Sequence, residues 1–324
     1  KPYLINKVIC ETSLRFKEPT SITYLYYDIE TYNSNGEYNK VPLVSNPYSH
    51  IGIISLVDVT NKQIILYMRN YYNLYSTNEI IEHLGYDDPS DFEYQIHCNE
   101  YSDEISMCRA FLIKLASYRG ITIASSFNGS LGHSNEFTHG YDLPFIHTRA
   151  HMHQDKWMLM KKYGMKSEYG KNDQVMITQL KGIPNLYFYD YRYLHTIIGK
   201  DIYQFENYKL DSYLRYYQLD TKLDIGMTYE AIQNALLTRD NNISNIIAYC
   251  IKDCLVLNQL ELKSGLISDR LTYMTVCNIP LHYALYFSYG QMASSAIIQR
   301  YYSSNMLLRQ RDHTKLVEDR KSVV

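Results

Sequence analysis

Asp28 and Glu30 stand two apart at the end of Ile22-Thr23-Tyr24-Leu25-Tyr26-Tyr27-Asp28-Ile29-Glu30. This run, rich in β-branched and aromatic residues, reads as a strand, and the period of two sends both carboxylates from one face. Tyr141-Asp142 precedes a helical pattern from Leu143 to His153. Tyr249 and Asp253 are four apart in the strongest helical pattern, Ile243 to Leu262, so phenol and carboxylate share a face. Singly, each has an ordinary use: a solvated strand end, a helix cap, a Tyr–Asp hydrogen bond. Together, four carboxylates from a strand, a loop and a helix can hold two divalent metal ions ~3.5–4 Å apart, which stabilises the attacking and leaving oxygens of a phosphoryl displacement. Oxygen ligands of this kind select Mg²⁺ or Mn²⁺ over zinc.

The elements that must position these groups follow from periodicity. Asn33-Ser34-Asn35-Gly36 is a turn signal closing the first strand, and Ile51 to Val57 and Gln63 to Met68 flank Thr60-Asn61 as a hairpin. Glu104 to Arg119 places Ile105, Cys108, Leu112, Leu115 and Ala116 at helical spacing before Gly120, and Ile121 to Phe127 reads as the next strand. Leu186 to Tyr189 is a short strand ending at Asp190, and Lys209 to Tyr217 a short helix. In the last long helix, Ile246, Cys250, Cys254 and Leu257 form an apolar stripe. Residues 154–186 carry no consistent period. Strands followed by helices and returning strands are the grammar of an α/β sheet.

Tyr-Asp-Ile-Glu-Thr at 27–31 resembles the first exonuclease motif of family B DNA polymerases, and Tyr-Asp-Leu-Pro-Phe-Ile-x-x-Arg-Ala at 141–150 resembles the second. Tyr-Cys-Ile-Lys-Asp-Cys-Leu at 249–255 is similar to the third, the Tyr-x-x-x-Asp pattern. Tyr208-Lys209-Leu210-Asp211-Ser212-Tyr213-Leu214, following Tyr189-Asp190, is similar to the family's tyrosine-lysine-leucine segment. Ile279-Pro280-Leu281 through Gly290-Gln291 is similar to the approach to the palm in eukaryotic replicative and large-DNA-virus members.

The resemblance implies a ribonuclease-H-like mixed sheet flanked by helices and a proofreading 3′–5′ exonuclease of the DEDDy type acting on DNA. Residues 22–265 would be the exonuclease domain, 1–21 the end of an N-terminal segment, and 266–324 the helical start of a polymerase module cut off before its palm. Asp28, Glu30, Asp142 and Asp253 would be metal ligands, directly or through water, for two Mg²⁺ (or Mn²⁺) ions. Tyr249 would orient the attacking water, and Phe127 with neighbouring aromatics would stack on the frayed primer end. The implied partners are DNA, the rest of the polymerase chain and a processivity factor, at a nuclear or cytoplasmic replication site of a host cell.

One departure bears on the second motif. The family's Asn lies a few residues before the aromatic–Asp pair, whereas Asn128-Gly129 is fourteen residues from Asp142, and Ser130 to Gly140 reads as an insertion. Asn135 is the nearer alternative. The insertion leaves open a catalytically weak exonuclease-fold scaffold, and a free-standing nuclease is the other alternative. A zinc site is a different reading: His133, His139, His147, His151 and His153 cluster, with His147 and His151 at helical i,i+4 spacing, but no Glu or Cys stands in register.

Composition sets the outer limits. The chain has 324 residues and a net charge of −2, which argues against a protein coated in positive charge for indiscriminate nucleic-acid binding. A local +3 over residues 300–324 leaves −5 for the rest, and marks the tail either as a polyanion contact or as a solvated basic face. Six cysteines without a CxxC pair fit reduced thiols in a cytosolic or nuclear setting rather than a secreted one. No signal pattern follows Lys1, and the chain reads as an internal piece of something longer. Residues 271–299 carry no formal charge but are interrupted by Asn278, Pro280, His282 and Gln291, so they read as buried helix rather than a membrane span. Thirty-five tyrosines against one tryptophan make amphipathic packing the ordinary role for any one Tyr.

Overall fold

The structure is a computed structural model that describes residues 21–44, 46–133, 141–150, 159–165, 174–180, 183, 185–192, 209–219, 223, 225–286 and 289–303. The chain divides into two compact units, one spanning Pro19–Gly265 and one that includes everything from Leu266 onward.

The first unit is mixed α/β. Its main sheet has six strands: β1 (Ile22–Asn33), β2 (Ser49–Asp58), β3 (Gln63–Arg69), β4 (Gln95–Tyr101), β5 (Ile121–Ser126) and, after three strands of a smaller sheet, β9 (Leu186–Asp190). The order is β4-β3-β2-β1-β5-β9. β1–β2 and β2–β3 pair antiparallel, as the Thr60-Asn61 turn requires, while β3–β4, β1–β5 and β5–β9 are parallel. The alternation of β1 divides its side chains. Leu25, Tyr27 and Ile29 join Ile54, Leu56, Met107, Phe111, Leu112, Phe145 and Ile146 in one core, roofed by the Glu104–Ser117 and Leu143–Ala150 helices. Each such fully buried Leu, Ile or Phe contributes ~1.5–3 kcal/mol. Asp28 and Glu30 leave the other face, towards the Ile243–Ser264 helix.

That helix keeps the predicted stripe: Ile246, Cys250, Cys254 and Leu257 are all buried. It ends where Gly265 takes φ +64°, with its N–H bonded to the Glu261 carbonyl at 2.7 Å, a left-handed cap that glycine adopts without steric cost. Tyrosine is used as packing with a polar tip. Tyr26, Tyr27, Tyr189, Tyr191 and Tyr213 are almost wholly buried. The Tyr191 hydroxyl donates to Glu261 Oε2 at 3.0 Å and the Tyr27 hydroxyl meets Ser130 Oγ at 2.6 Å.

Four expectations change. β1 runs through Asn33, so the turn begins at Ser34; Asn33 is buried and its Nδ2 donates to the Glu37 and Lys40 carbonyls. The helix expected to reach Arg119 ends at Ser117, while the one expected over Leu143 to His153 is present through Ala150, with His151 and His153 outside the described residues. The expected insertion and the unassigned stretch after 154 supply β6 (Leu131–His133), β7 (Leu159–Met165) and β8 (Gln174–Leu180), a three-stranded antiparallel sheet in the order β6-β8-β7. Finally, 271–299 is not one buried helix.

In the second unit the helices are Leu266–Cys277, Leu281–Tyr286 and Tyr289–Ser303. Asn278 at φ +49° and Pro280 end the first of them. Arg270, fully buried, donates from Nη1 to the Ala284 carbonyl and lies 4.6 Å over the Tyr289 ring. Ile297 and Ile298 on the last helix are exposed. Residues 1–20 and most of the basic tail, 304–324, lie outside the described residues. Among the described residues no helix is long and apolar enough to cross a membrane.

Candidate metal centre

Asp28 and Glu30 occupy the middle of β1, opposite Ser55 and Ile53 of β2, and the register slips directly after Glu30. Such a bulge re-aims side chains at a strand end. The facing residue is Cys250, whose Sγ lies 3.9 Å from Asp28 Oδ2. Ligand atoms of Asp28, Glu30 and Cys250 all fall within 4.8 Å of one another, close enough to hold a metal ion. Burial, followed by the charges of Asp28 and Glu30, pushes the Cys250 thiol well above its ordinary range. A bound metal would remove that proton, so Cys250 is a third candidate ligand beside the two carboxylates.

Asp142 is buried just before the Leu143–Ala150 helix, with φ +31°. Burial, then Asp28, Asp190 and Asp253 in turn, hold its carboxyl well above the usual carboxylate range. Acids from a strand, a loop and a helix thus share one electrostatic environment, and a cation is what would let them ionise together. A metal ion could be held by Asp28 and Glu30 with Cys250, and the charges of Asp28 and Asp253 both act on Asp142 beside them. Gly129 lies under Asp142: a Cβ there would come 2.1 Å from Asp142 Oδ2. The Gly129 carbonyl accepts the Leu143 N–H at 2.9 Å, so the start of this helix is stitched to the end of β5.

The cavity beside these acids has a volume of about 410 Å³. Asp28, Asp253 and Tyr249 line it, and Phe127, Asn128, Arg192, Lys209 and Asp211 are among the other residues of its wall. Tyr249 is half-buried, one helical turn from Asp253. Phe127 packs edge-on against Tyr213, ring centres 5.0 Å apart, so its ring is held in place from behind. Arg192 Nη1 donates to Asn128 Oδ1 at 2.6 Å.

Of the residues singled out in the sequence, Asp28, Tyr249, Asp253, Phe127 and Asn128 line the cavity, Glu30 adjoins Asp28, and Asp142 lies behind Gly129. Asn128 lies beside the cavity, and Asn135 lies outside the described residues. No histidine belongs to a potential metal cluster among the described residues. His139, His151 and His153 lie outside them, as does Tyr208 of the tyrosine-lysine-leucine segment. Arg192 and the site-facing position of Cys250 were not foreseen. Asp190 and Lys209 stood in quoted segments without a role, although an acid at the end of a strand was a usable signal. Compared with known proteins, the chain matches no protein-family model and no curated protein.

Proposed function

We propose that residues 22–265 form a 3′–5′ exonuclease domain of ribonuclease-H-like fold, the proofreading part of a family B DNA polymerase, which removes nucleotides from the 3′ end of DNA. The observation that best supports this reading is the meeting of Asp28, Tyr249 and Asp253 in one cavity, with Glu30 and Asp142 against its acids. Their order along the chain is that of the three motifs.

Asp28, Glu30, Asp142 and Asp253 would hold two Mg²⁺ or Mn²⁺ ions, directly or through water. Bound there, the ions supply a water of lowered pKa and charge stabilisation at the leaving oxygen. Tyr249 would orient the attacking water through its phenol hydroxyl, and Phe127 would offer a face to the terminal base, a contact tolerant of sequence. Arg192 and Lys209 bring the positive charge that a phosphodiester requires to an otherwise acidic cavity. The near-neutral net charge suits an enzyme that takes a strand end briefly and lets it go.

The test is direct. A 5′-labelled single-stranded oligonucleotide incubated with the chain and Mg²⁺ or Mn²⁺ should give a ladder of shortened products that EDTA abolishes and Asp28→Ala does not produce. Metal-dependent shortening that survives Asp28→Ala would overturn the assigned site. Intact substrate with both proteins favours a non-catalytic scaffold.

A further inference from the structure

The catalytic reading leaves the buried acid Asp190 without a use. Asp190 ends β9 and is fully buried. Its Oδ1 accepts the Asn128 N–H at 3.1 Å and its Oδ2 accepts the Ser130 N–H at 3.0 Å. One carboxylate thus spans the turn whose middle residue is Gly129, and Asn128 within it takes φ +65°, a conformation uncommon for a residue with a side chain. The same turn carries two functional groups in different directions. Asn128 turns its side chain to Arg192 at the cavity wall. Gly129 gives its carbonyl to Leu143 N and its bare Cα to Asp142. Ser130 Oγ in turn meets the buried Tyr27 hydroxyl, whose residue is the neighbour of Asp28 on β1.

We infer that Asp190 is a positioning residue: by holding the Asn128 and Ser130 amides it fixes the turn against which Asp142 rests, and so sets the metal affinity of the centre without touching the metal. Two converging N–H donors need two acceptor oxygens, which a carboxylate provides and an amide side chain does not. Asp190→Asn keeps the size and points an NH₂ at one of the two amides. The turn then loses one of its two amide acceptors at a place where its backbone conformation is uncommon. Residues that orient metal ligands in this way typically alter metal affinity by ~10–100-fold when changed. The inference deepens the nuclease reading and shares its metal centre, but its test reads binding and not hydrolysis.

Mn²⁺ binding is measured by calorimetry on the whole chain, with amide hydrogen exchange at Asn128 and Ser130 followed by NMR. In the parent both amides should be protected, and Asp190→Asn should expose at least one of them and weaken Mn²⁺ binding by ~10-fold or more. Asp58→Asn is the control, since Asp58 is also buried and accepts a backbone N–H, from Asn61 at 3.0 Å, at the hairpin end of β2. It should lower the melting temperature yet leave Mn²⁺ affinity within about twofold, where loss of stability alone has no effect on the centre. The inference is overturned by a folded Asp190→Asn protein with parental Mn²⁺ affinity, by a parent that takes up no Mn²⁺, or by parental amides that exchange at open-loop rates. The last measurement decides even where Asp190→Asn does not fold. A parent that binds Mn²⁺ with an affinity that Asp190→Asn weakens, but leaves DNA intact, overturns the nuclease reading and supports this one.

Discussion

Cys250 Sγ lies 3.7 Å from the carbonyl oxygen of Asp28, so the helix that carries Tyr249 and Asp253 is seated directly on the strand that carries Asp28 and Glu30. A larger side chain at 250 has to lift the helix off the sheet. Cys250→Leu should cost ~1–3 kcal/mol in urea denaturation, the usual effect of overpacking, and should lower nuclease activity with it. Parental stability in that variant would mean that helix and strand are less closely seated.

The acids and the tyrosine divide the labour. Asp28→Ala or Asp253→Ala should slow hydrolysis by ~10³ or more, the rate equivalent of about 4 kcal/mol of lost charge stabilisation. Tyr249→Phe keeps the carboxylates and removes one hydroxyl, so single-turnover rates should fall by less. An equal loss in Tyr249→Phe and Asp28→Ala contradicts this division.

Asp142 makes stability depend on pH. Its carboxyl is held above the ordinary value of ~3.9 by burial and by three neighbouring acids. The metal-free folded chain therefore keeps this proton to higher pH than the unfolded chain. The contribution is fully present below the unfolded pKa and is lost as pH rises through the folded one. Urea midpoints of metal-free protein, measured from pH 4 upward, should fall less steeply in Asp142→Asn than in the parent. Superimposable slopes would show that Asp142 ionises as freely folded as unfolded.

Gly129→Ala isolates the turn. Its Cβ would meet Asp142 Oδ2 at 2.1 Å and Ser126 Cβ at 2.8 Å, so a carboxylate or a strand must move. The expected result is destabilisation of ~1–3 kcal/mol together with weaker Mn²⁺ binding. Unaltered binding by calorimetry would place Asp142 outside the centre.

On the other side of the sheet's core, Glu104 anchors the roof helix to β2. Its Oε1 accepts the Ile51 N–H at 2.9 Å and lies 3.6 Å from Arg149 Nε, while Arg149 Nη2 donates to the Asn46 carbonyl at 2.9 Å. Both side chains are buried. Glu104→Ala leaves the arginine without its counter-charge and should cost ~3–5 kcal/mol, read as a fall in the urea midpoint. A loss below 1 kcal/mol would mean that the backbone carbonyls alone satisfy Arg149.

Local pattern made the two principal carriers of the site legible. Ile22 to Glu30 declares a strand by its β-branched and aromatic residues, and Ile246, Cys250, Cys254 and Leu257 declare a helix face. What escaped was set by contacts distant along the chain. Asp190 receives N–H groups from residues some sixty positions earlier, which no local period encodes. Cys250 carries the same stripe signal as any core residue, and only the seating of helix on strand puts it beside a carboxylate. β7 and β8 mix Lys, Gln and Met with no clean alternation, and their pairing with each other is what makes them strands. The lack of charge after Arg270 says nothing about where Pro280 breaks the helix.

The clasp under Asp142 closes on residues at both of its ends. Asp190 holds the Asn128 and Ser130 amides, and the Gly129 carbonyl holds the Leu143 N–H, so the backbone before Leu131 and after Asp142 is pinned by contacts that lie outside residues 131–141. A substitution at Asp190 or Gly129 thus reaches the acid at 142 without altering any residue of the chain between.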